Sequence, residues 1–360
     1  MEKYNYLIVG QGLAGTTLAY TLLKRKQSVL VVDNGDANAS SRIAAGIFNP
    51  ITGMRMVKTW KADLLFPFLH EFYTELEQLL GVRFFFPKTI YRPFDSIAQQ
   101  NHVLGQAVEK GFTNFINSEN IDEKYNYFVI NEFGGVEFKK GGYIEVNQLL
   151  LAFRHFLEAK QLFQEISFNE TDLKIGENNI VYSPKNLTRQ FSFEKVIFCR
   201  GIKDATSELW KHLNFNPVKG EILSGKFENI DFTEIVNRSG WVLPCAGGIY
   251  KIGSTYEWGN LDNDCTEKAK NDILAQTSQL IKANFHLNKH EAGVRPATTD
   301  RRPLLGLHPL YPNIGIFNGL GTKGVMLAPY FAHHFTNFLL NNEELDVESN
   351  ITRFRYVKNQ

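Results

Sequence analysis

Tyr6-Leu7-Ile8-Val9-Gly10-Gln11-Gly12-Leu13-Ala14-Gly15, with Asp33 closing the next apolar run, decides how this chain folds. Tyr4 to Val9 is β-rich, Thr16 to Lys24 carries apolar residues at helical spacing, and Ser28 to Val32 reads as a buried strand. Strand, glycine turn, helix and strand make one βαβ unit. Each part has a physical task in holding a dinucleotide. Gly10 permits the tight turn, Gly12 lets the backbone approach a pyrophosphate, and Gly15 allows the helix to pack closely, with Leu13 and Ala14 between them at the helix start. The helix N-terminus favours the phosphate charge, and the Asp33 carboxylate suits a ribose hydroxyl pair.

Outward from this unit, Asn34 to Arg42 is small and polar, a loop, and Ala44 to Gly53 is rich in Ala, Gly and Pro, as where backbone lies close to a ligand. The glycine spacing alone serves NAD or FAD. A fingerprint starting at residue 10, followed by the small segment Ser40-Ser41-Arg42-Ile43-Ala44-Ala45-Gly46, favours FAD. Residues 57–80 read as a helix. Short aromatic β-runs such as Phe84-Phe85-Phe86 and Tyr125 to Ile130 fill 83–138, which predicts antiparallel strands of a second domain. Val146 to Ala159 is an amphipathic helix, and Phe193 to Phe198 returns to the first sheet. Strands are expected over 217–257, a helix over 265–285, a strand over 313–318 and a helix from about Ala328. The fold class is therefore α/β, a Rossmann-type FAD-binding domain interleaved with an α+β substrate domain built on an antiparallel sheet. Residues 1–82, 142–216 and 290–360 are assigned to the first and residues 83–141 and 217–289 to the second.

The 360 residues carry 39 Lys and Arg against 38 Asp and Glu, a formal net charge of +1, which argues against a protein that grips nucleic acid through a strongly basic surface. The 29 Phe and 14 Tyr read chiefly as an aromatic core. Cys199, Cys245 and Cys265 form no CxxC, so neither a disulfide framework nor a zinc site is expected and a reducing compartment fits. The opening apolar run is too short for a signal peptide, and no run approaches the roughly 18 apolar residues of a membrane span, so a soluble cytoplasmic protein is expected. His286 and His290 are four apart, but the residues between them read as a polar loop, so no metal is expected. No GxSxG nucleophile elbow occurs.

A series of further motifs follows the fingerprint in order. These are Ala44-Ala45-Gly46-Ile47-Phe48-Asn49-Pro50, Gly142-Tyr143-Ile144-Glu145-Val146 and Val196-Ile197-Phe198-Cys199-Arg200-Gly201. Pro217-Val218-Lys219-Gly220-Glu221, Gly253-Ser254-Thr255-Tyr256-Glu257, Gly293-Val294-Arg295-Pro296-Ala297-Thr298-Thr299-Asp300 and Gly319-Leu320-Gly321-Thr322-Lys323-Gly324 complete it. Through these the chain resembles, over nearly its whole length, the D-amino acid oxidase superfamily of flavoenzymes. The similar branch contains glycine oxidase, sarcosine oxidase and the oxidase domain of the bifunctional enzyme that makes methylaminomethyl-uridine in tRNA.

The resemblance implies FAD held noncovalently, since no cysteine stands where covalently flavinylated relatives place theirs. Beside Gly10, Gly12, Leu13, Ala14, Gly15 and Asp33, it assigns to the cofactor Asn34, Ser41, Arg42, Ala44, Ala45, Gly46, Cys199 and Gly201. It adds Arg295, Gly319, Gly321, Thr322, Lys323 and Gly324. Amides of the last glycine-rich segment would face the flavin pyrimidine carbonyl, although a tight strand-to-helix turn needs the same glycines. Arg295 matches the arginine that grips a substrate carboxylate, a task for a planar fork that keeps its charge; the alternative is a structural arginine paired with Asp300 or Glu291. Trp241 stands where glycine oxidase-like relatives carry a tyrosine, and an indole donates but does not accept. Lys323 and Lys251 are candidate lysines near the flavin, though strand alternation can equally send Lys251 to solvent.

The function expected is FAD-dependent oxidation of a small amine or amino acid at a C–N bond by hydride transfer to flavin N5, with O2 or a quinone as electron acceptor. Oxidation of a 2-hydroxyacid, oxidation of a modified tRNA side chain, and dinucleotide binding without turnover are the alternatives.

Overall fold

A computed structural model describes residues 1–53, 56–109, 112–117, 122–177, 179–185 and 189–356. The opening βαβ unit forms where its apolar pattern places it, as β1 (Glu2–Val9), α1 (Leu13–Lys24) and β2 (Val29–Asp33). β1 pairs in parallel with β2 on one side and with Phe191–Phe198 on the other. Phe163–Glu165 adds in parallel beyond β2, and Tyr311–Asn318 beyond Phe191–Phe198. Leu173–Ile175, Ile180–Tyr182 and Leu304–His308 attach antiparallel at the margins. Both faces of this sheet are covered, which is why its strands read as near-continuous apolar runs. Tyr6, Ile8, Val29 and Val31 pack with residues of α1 and of the helices Val146–Ala159 and Gly324–Asn341, while Leu7, Val9, Leu30 and Val32 pack on the other side with Trp210.

A second sheet runs in the order Phe285–Arg295, Val218–Phe227, Tyr250–Gly253, Trp241–Pro244, Ile235–Asn237, Ile90–Pro93, Gly135–Phe138 and Ile116–Asn117. It is antiparallel except at one junction, where Ile235–Asn237 lies parallel to Ile90–Pro93. Leu223, Val242, Tyr250 and Ile252 fill one face against Ile273 of the helix Glu267–Ser278. By the alternation of strands the other face carries Gly220, Ile222, Trp241, Gly293 and Arg295 toward the first sheet.

Several boundaries differ from the sequence reading. The helix expected over 57–80 is α3 (Ala62–Leu80), because Val57–Lys58 pairs with Ile51–Thr52. The helix expected over 265–285 stops at Ser278, and Phe285–Arg295 is a strand held by ten pairs to Val218–Phe227. A domain boundary at residue 290 falls inside that strand. The polar loop expected between His286 and His290 is part of the same strand. The last helix begins at Gly324, one turn earlier than Ala328. Among the described residues, no helix is long and apolar enough to cross a membrane.

Candidate active site

The carboxyl ends of the parallel strands and the open face of the second sheet enclose a cleft of about 780 Å³. Its deep end is built by glycines whose replacement would collide with backbone. Gly10 has a φ of 103°, and a Cβ there would lie 2.5 Å from the Cys199 carbonyl oxygen. A Cβ on Gly15 would lie 1.8 Å from the Gly10 oxygen, so α1 meets its own turn only because Gly15 has no side chain. The Gln11 amide donates to Asp33 Oδ2 at 2.8 Å and the Gly35 amide to Oδ1 at 2.7 Å, which fixes the acid at the end of β2. The Gln11 side chain donates to the Leu150 carbonyl at 2.7 Å, tying the turn to the helix Val146–Ala159.

α1 starts behind Gly12, a residue that offers no side-chain cap, with no acid in its first turn; of its leading amides, that of Leu13 donates to Ser41 Oγ at 3.2 Å. A helix start with no acid in its first turn, facing a cleft beside a fixed carboxylate, suits an anionic dinucleotide, and these residues fit the pyrophosphate and ribose of FAD. Gly12, Leu13, Ala14, Asp33, Asn34, Ser41, Ala44, Ala45, Gly46, Cys199, Gly201, Gly321, Thr322, Lys323 and Gly324 line the cleft. Gly15 and Gly319 do not line it; they shape the backbone behind it. Arg42 is outside the lining. It ends the four-residue helix α2 (Ser40–Ile43), whose Ser41 and Ile43 face the cleft, and its carbonyl accepts from Asn147 Nδ2 at 2.8 Å.

At the other end Arg295 reaches the cleft from the last residue of its strand. Its Nη2 donates to Ser254 Oγ at 3.1 Å and its Nη1 to the Thr255 carbonyl at 3.2 Å, and the guanidinium lies 4.9 Å from the Tyr256 ring centroid. It crosses over Gly220, where a Cβ would lie 2.0 Å from Nη2. The acids named as structural partners are engaged elsewhere, Asp300 with Arg353 at 2.7 Å and Glu291 with Lys289 at 2.6 Å. Among the described residues, no carboxylate pairs with Arg295. Burial pulls its pKa down, and the nearby Tyr256 acts in the opposite direction.

Lys323 lies in the short turn Gly321–Lys323 before the last helix. Its pKa is lowered by burial and then by the charges of Arg302 and Arg301. Trp241 also lines the cleft. Lys251 does not: its register opposite Leu243 and Ser224 sets it on the cleft-side face but two residues beyond Gly253, beside Cys245. Sequence reasoning passed over Gly220, Tyr256, Arg92, Asn237 and Arg238, which also line the cleft. The first two stood inside recognised motifs; the other three had no signal, because only the sheet register turns Arg92 and Asn237 inward and Arg238 follows directly after that strand.

Glu221, Cys265 and His290 bring ligand atoms within 4.8 Å of one another. The Glu221 oxygens, however, accept from the Thr266 amide at 2.8 Å and hydroxyl at 2.9 Å, and Lys219 Nζ stands 3.8 Å away. That carboxylate is committed to the start of the helix Glu267–Ser278, and the adjacent ammonium opposes a cation.

The family described as FAD dependent oxidoreductase (DAO) matches residues 5–338. Glycine oxidase of Bacillus subtilis (strain 168) is 22% identical over 365 residues, covering 95% of this chain and 94% of that protein. The tRNA 5-methylaminomethyl-2-thiouridine biosynthesis bifunctional protein MnmC of Leptospira interrogans serogroup Icterohaemorrhagiae serovar copenhageni is 23% identical over 412 residues, covering 96% of this chain but 59% of that protein. The crystal structure of glycine oxidase from Bacillus cereus ATCC 14579 superposes with a TM-score of 0.78 at 21% identity, covering 95% of this chain and 96% of that one. With its fingerprint, its two-sheet cleft and a match spanning most of its length, the chain belongs to the DAO family of FAD-dependent oxidoreductases.

Proposed function

We propose that this enzyme oxidises a small amino acid or amine at its C–N bond, with the substrate carboxylate held by Arg295. The observation that carries this is a half-buried guanidinium in the cleft with no acidic partner among the described residues. A buried cation is costly unless an anion completes it, and a carboxylate meets a guanidinium through two parallel charge-assisted hydrogen bonds. Ser254 and the Thr255 carbonyl take one contact from each terminal nitrogen and hold the plane, which leaves donors for a ligand. Bound FAD supplies the two-electron acceptor for such a reaction. The protein's share is orientation and exclusion of water, which suits a cleft with no acid–base pair among the described residues. The turn Gly319 to Gly324, with Lys323, is suited to stabilising negative charge that develops in the cleft. Trp241, paired with Asn237 and lining the cleft, presents an indole that donates but does not accept. With three free cysteines, the cytoplasm is the compartment we assign.

A panel of glycine, sarcosine, proline, D-amino acids and 2-hydroxyacids, mixed anaerobically with the FAD-loaded protein, tests the reading through flavin absorption. Bleaching by an amine supports it, and bleaching by hydroxyacids alone transfers it to C–O oxidation. Arg295→Leu is expected to raise KM for the amino acid by about 100-fold or more, as the loss of a charge-assisted bidentate contact implies; unchanged kinetics would remove the assignment.

A second reading, oxidation of a side chain on modified tRNA, draws on the MnmC match and on Tyr256 and Trp258. These are exposed and stacked with centroids 6.2 Å apart, and Tyr256 lines the cleft. Exposed stacked rings are a platform for unpaired bases. Glu257, Asp262 and Asp264 on the same loop oppose a phosphate backbone, which leaves the small-molecule reading ahead.

A further inference from the structure

Arg92 is a second cleft arginine with no use in the reaction above. It lies in the strand Ile90–Pro93, whose Ile90 and Tyr91 pair with Ile235 and Val236, so that Arg92 falls beside Asn237. It is 4% exposed and lines the cleft together with Asn237 and Trp241. Its Nη1 approaches Asn237 Oδ1 at 3.5 Å, the limit of a hydrogen bond, and its Nε, fully buried, has no hydrogen-bond partner among the described residues. Among the described residues, no carboxylate pairs with it. Asp95, the acid whose field reaches it, stands 3.4 Å from Arg238 and accepts from Gln99 Nε2 at 3.1 Å. A buried guanidinium left this bare is costly to the folded chain until an anion enters the cleft.

We infer that Arg92 and Asn237 form a second anion site, which selects an elongated amine substrate bearing a carboxylate at each end. This rests on the reading of Arg295 as the first carboxylate site. The guanidinium fork and the neighbouring Asn237 amide nitrogen together offer several donors, which suits a carboxylate. Four strands separate those of Arg92 and Arg295, five steps or roughly 24 Å across a flat sheet at about 4.8 Å per step. The reach of both side chains and the twist of the sheet shorten that span, but glycine cannot bridge it. The substrate class is therefore an amino acid whose nitrogen or side chain carries an acidic arm.

The test uses the FAD-loaded protein and non-oxidisable probes, linear dicarboxylates from succinate to pimelate beside monocarboxylates of equal length. Binding is read from the flavin spectrum and from the shift in Tm. A dicarboxylate of matching length should bind roughly 10- to 100-fold more tightly than its monocarboxylate partner, and Arg92→Gln should erase that difference. Should Arg92→Gln fail to fold, Asn237→Asp decides the matter. It sets an internal carboxylate beside Arg92 and should abolish the preference while leaving FAD content intact. A dicarboxylate series that binds no better than the monocarboxylates, or a preference that survives a folded variant, overturns the second site. In that event monocarboxylates that still perturb the flavin, and lose the effect in Arg295→Leu, leave the Arg295 reading standing. If Arg295→Leu changes nothing, that reading fails by itself.

Discussion

Gly220 shows how one absent side chain sets a functional group. A Cβ there would lie 2.0–2.3 Å from the Arg295 guanidinium, which is the end of a flexible side chain and not fixed backbone. Gly220→Ala is therefore expected to displace the guanidinium and leave the fold in place. KM for a carboxylate substrate should rise about 10-fold or more, while Tm moves by a few degrees at most. A collapse of Tm would mean the strand, and not the arginine, gives way. Lys323 makes a second case. Burial and the charges of Arg302 and Arg301 hold its pKa below the ordinary lysine value, so the ammonium loses its proton earlier as pH rises. If that charge assists reduction, turnover falls on the alkaline side at a pH below about 10.4, and Lys323→Met is slower and lacks the limb. A wild-type profile flat to that pH would exclude the role. Both residues stood in motifs of the sequence, yet the contact of Gly220 with Arg295 joins strands whose pairing the sequence does not print.

At the scale of elements, the first βαβ unit was fully legible, because each of its signals is local: an apolar run, glycines at a turn, helical spacing. The strand Phe285–Arg295 was not. Its outer half is largely exposed, so no clean alternation marks it, and its partner lies far earlier in the chain. Tertiary pairing decided it. Motifs that looked separate in the sequence also prove to be one structure. The Ile144 amide donates to the Gly46 carbonyl at 3.0 Å, and a Cβ on Gly46, whose φ is 76°, would lie 2.0 Å from the Ile144 carbonyl oxygen. The stretch Ala44 to Pro50 is thus clamped by Gly142 to Ile144 as it passes the cleft. Gly46→Ala is expected to cost about 2–4 kcal/mol, through backbone collision and an unfavourable φ, and to weaken FAD retention. Here the obstacle is backbone, so no side chain can yield. Denaturant unfolding of the FAD-free and FAD-loaded protein checks it, and stability within about 0.5 kcal/mol of wild type would show that the two segments are not rigidly clamped.

Over the whole molecule the formal charge of +1 conceals a polarity that composition could not reveal. Among the described residues, Arg92, Arg200, Lys203, Arg238, Arg295 and Lys323 line the cleft against two acids, Asp33 and Asp36. Arg200, Lys203 and Arg238 are paired with acids, but Arg92, Arg295 and Lys323 have no ion-pair partner among the described residues. The near-neutral chain has therefore concentrated cationic charge where a ligand enters and balanced it with acids elsewhere. A low-dielectric cleft of one sign focuses its field on an incoming anion and raises its rate of encounter. Added salt screens that field, with a Debye length near 30 Å at 0.01 M and about 3 Å at 1 M. For a carboxylate substrate, kcat/KM should accordingly fall several-fold between about 0.01 and 0.5 M NaCl, with kcat itself little changed, since the bound anion is beyond reach of the screening ions. A neutral amine of similar size should show almost no salt effect. If both respond alike, the salt acts on the protein or on flavin retention, and the cleft's cations hold only the cofactor; if the anionic substrate alone responds, they also draw it in.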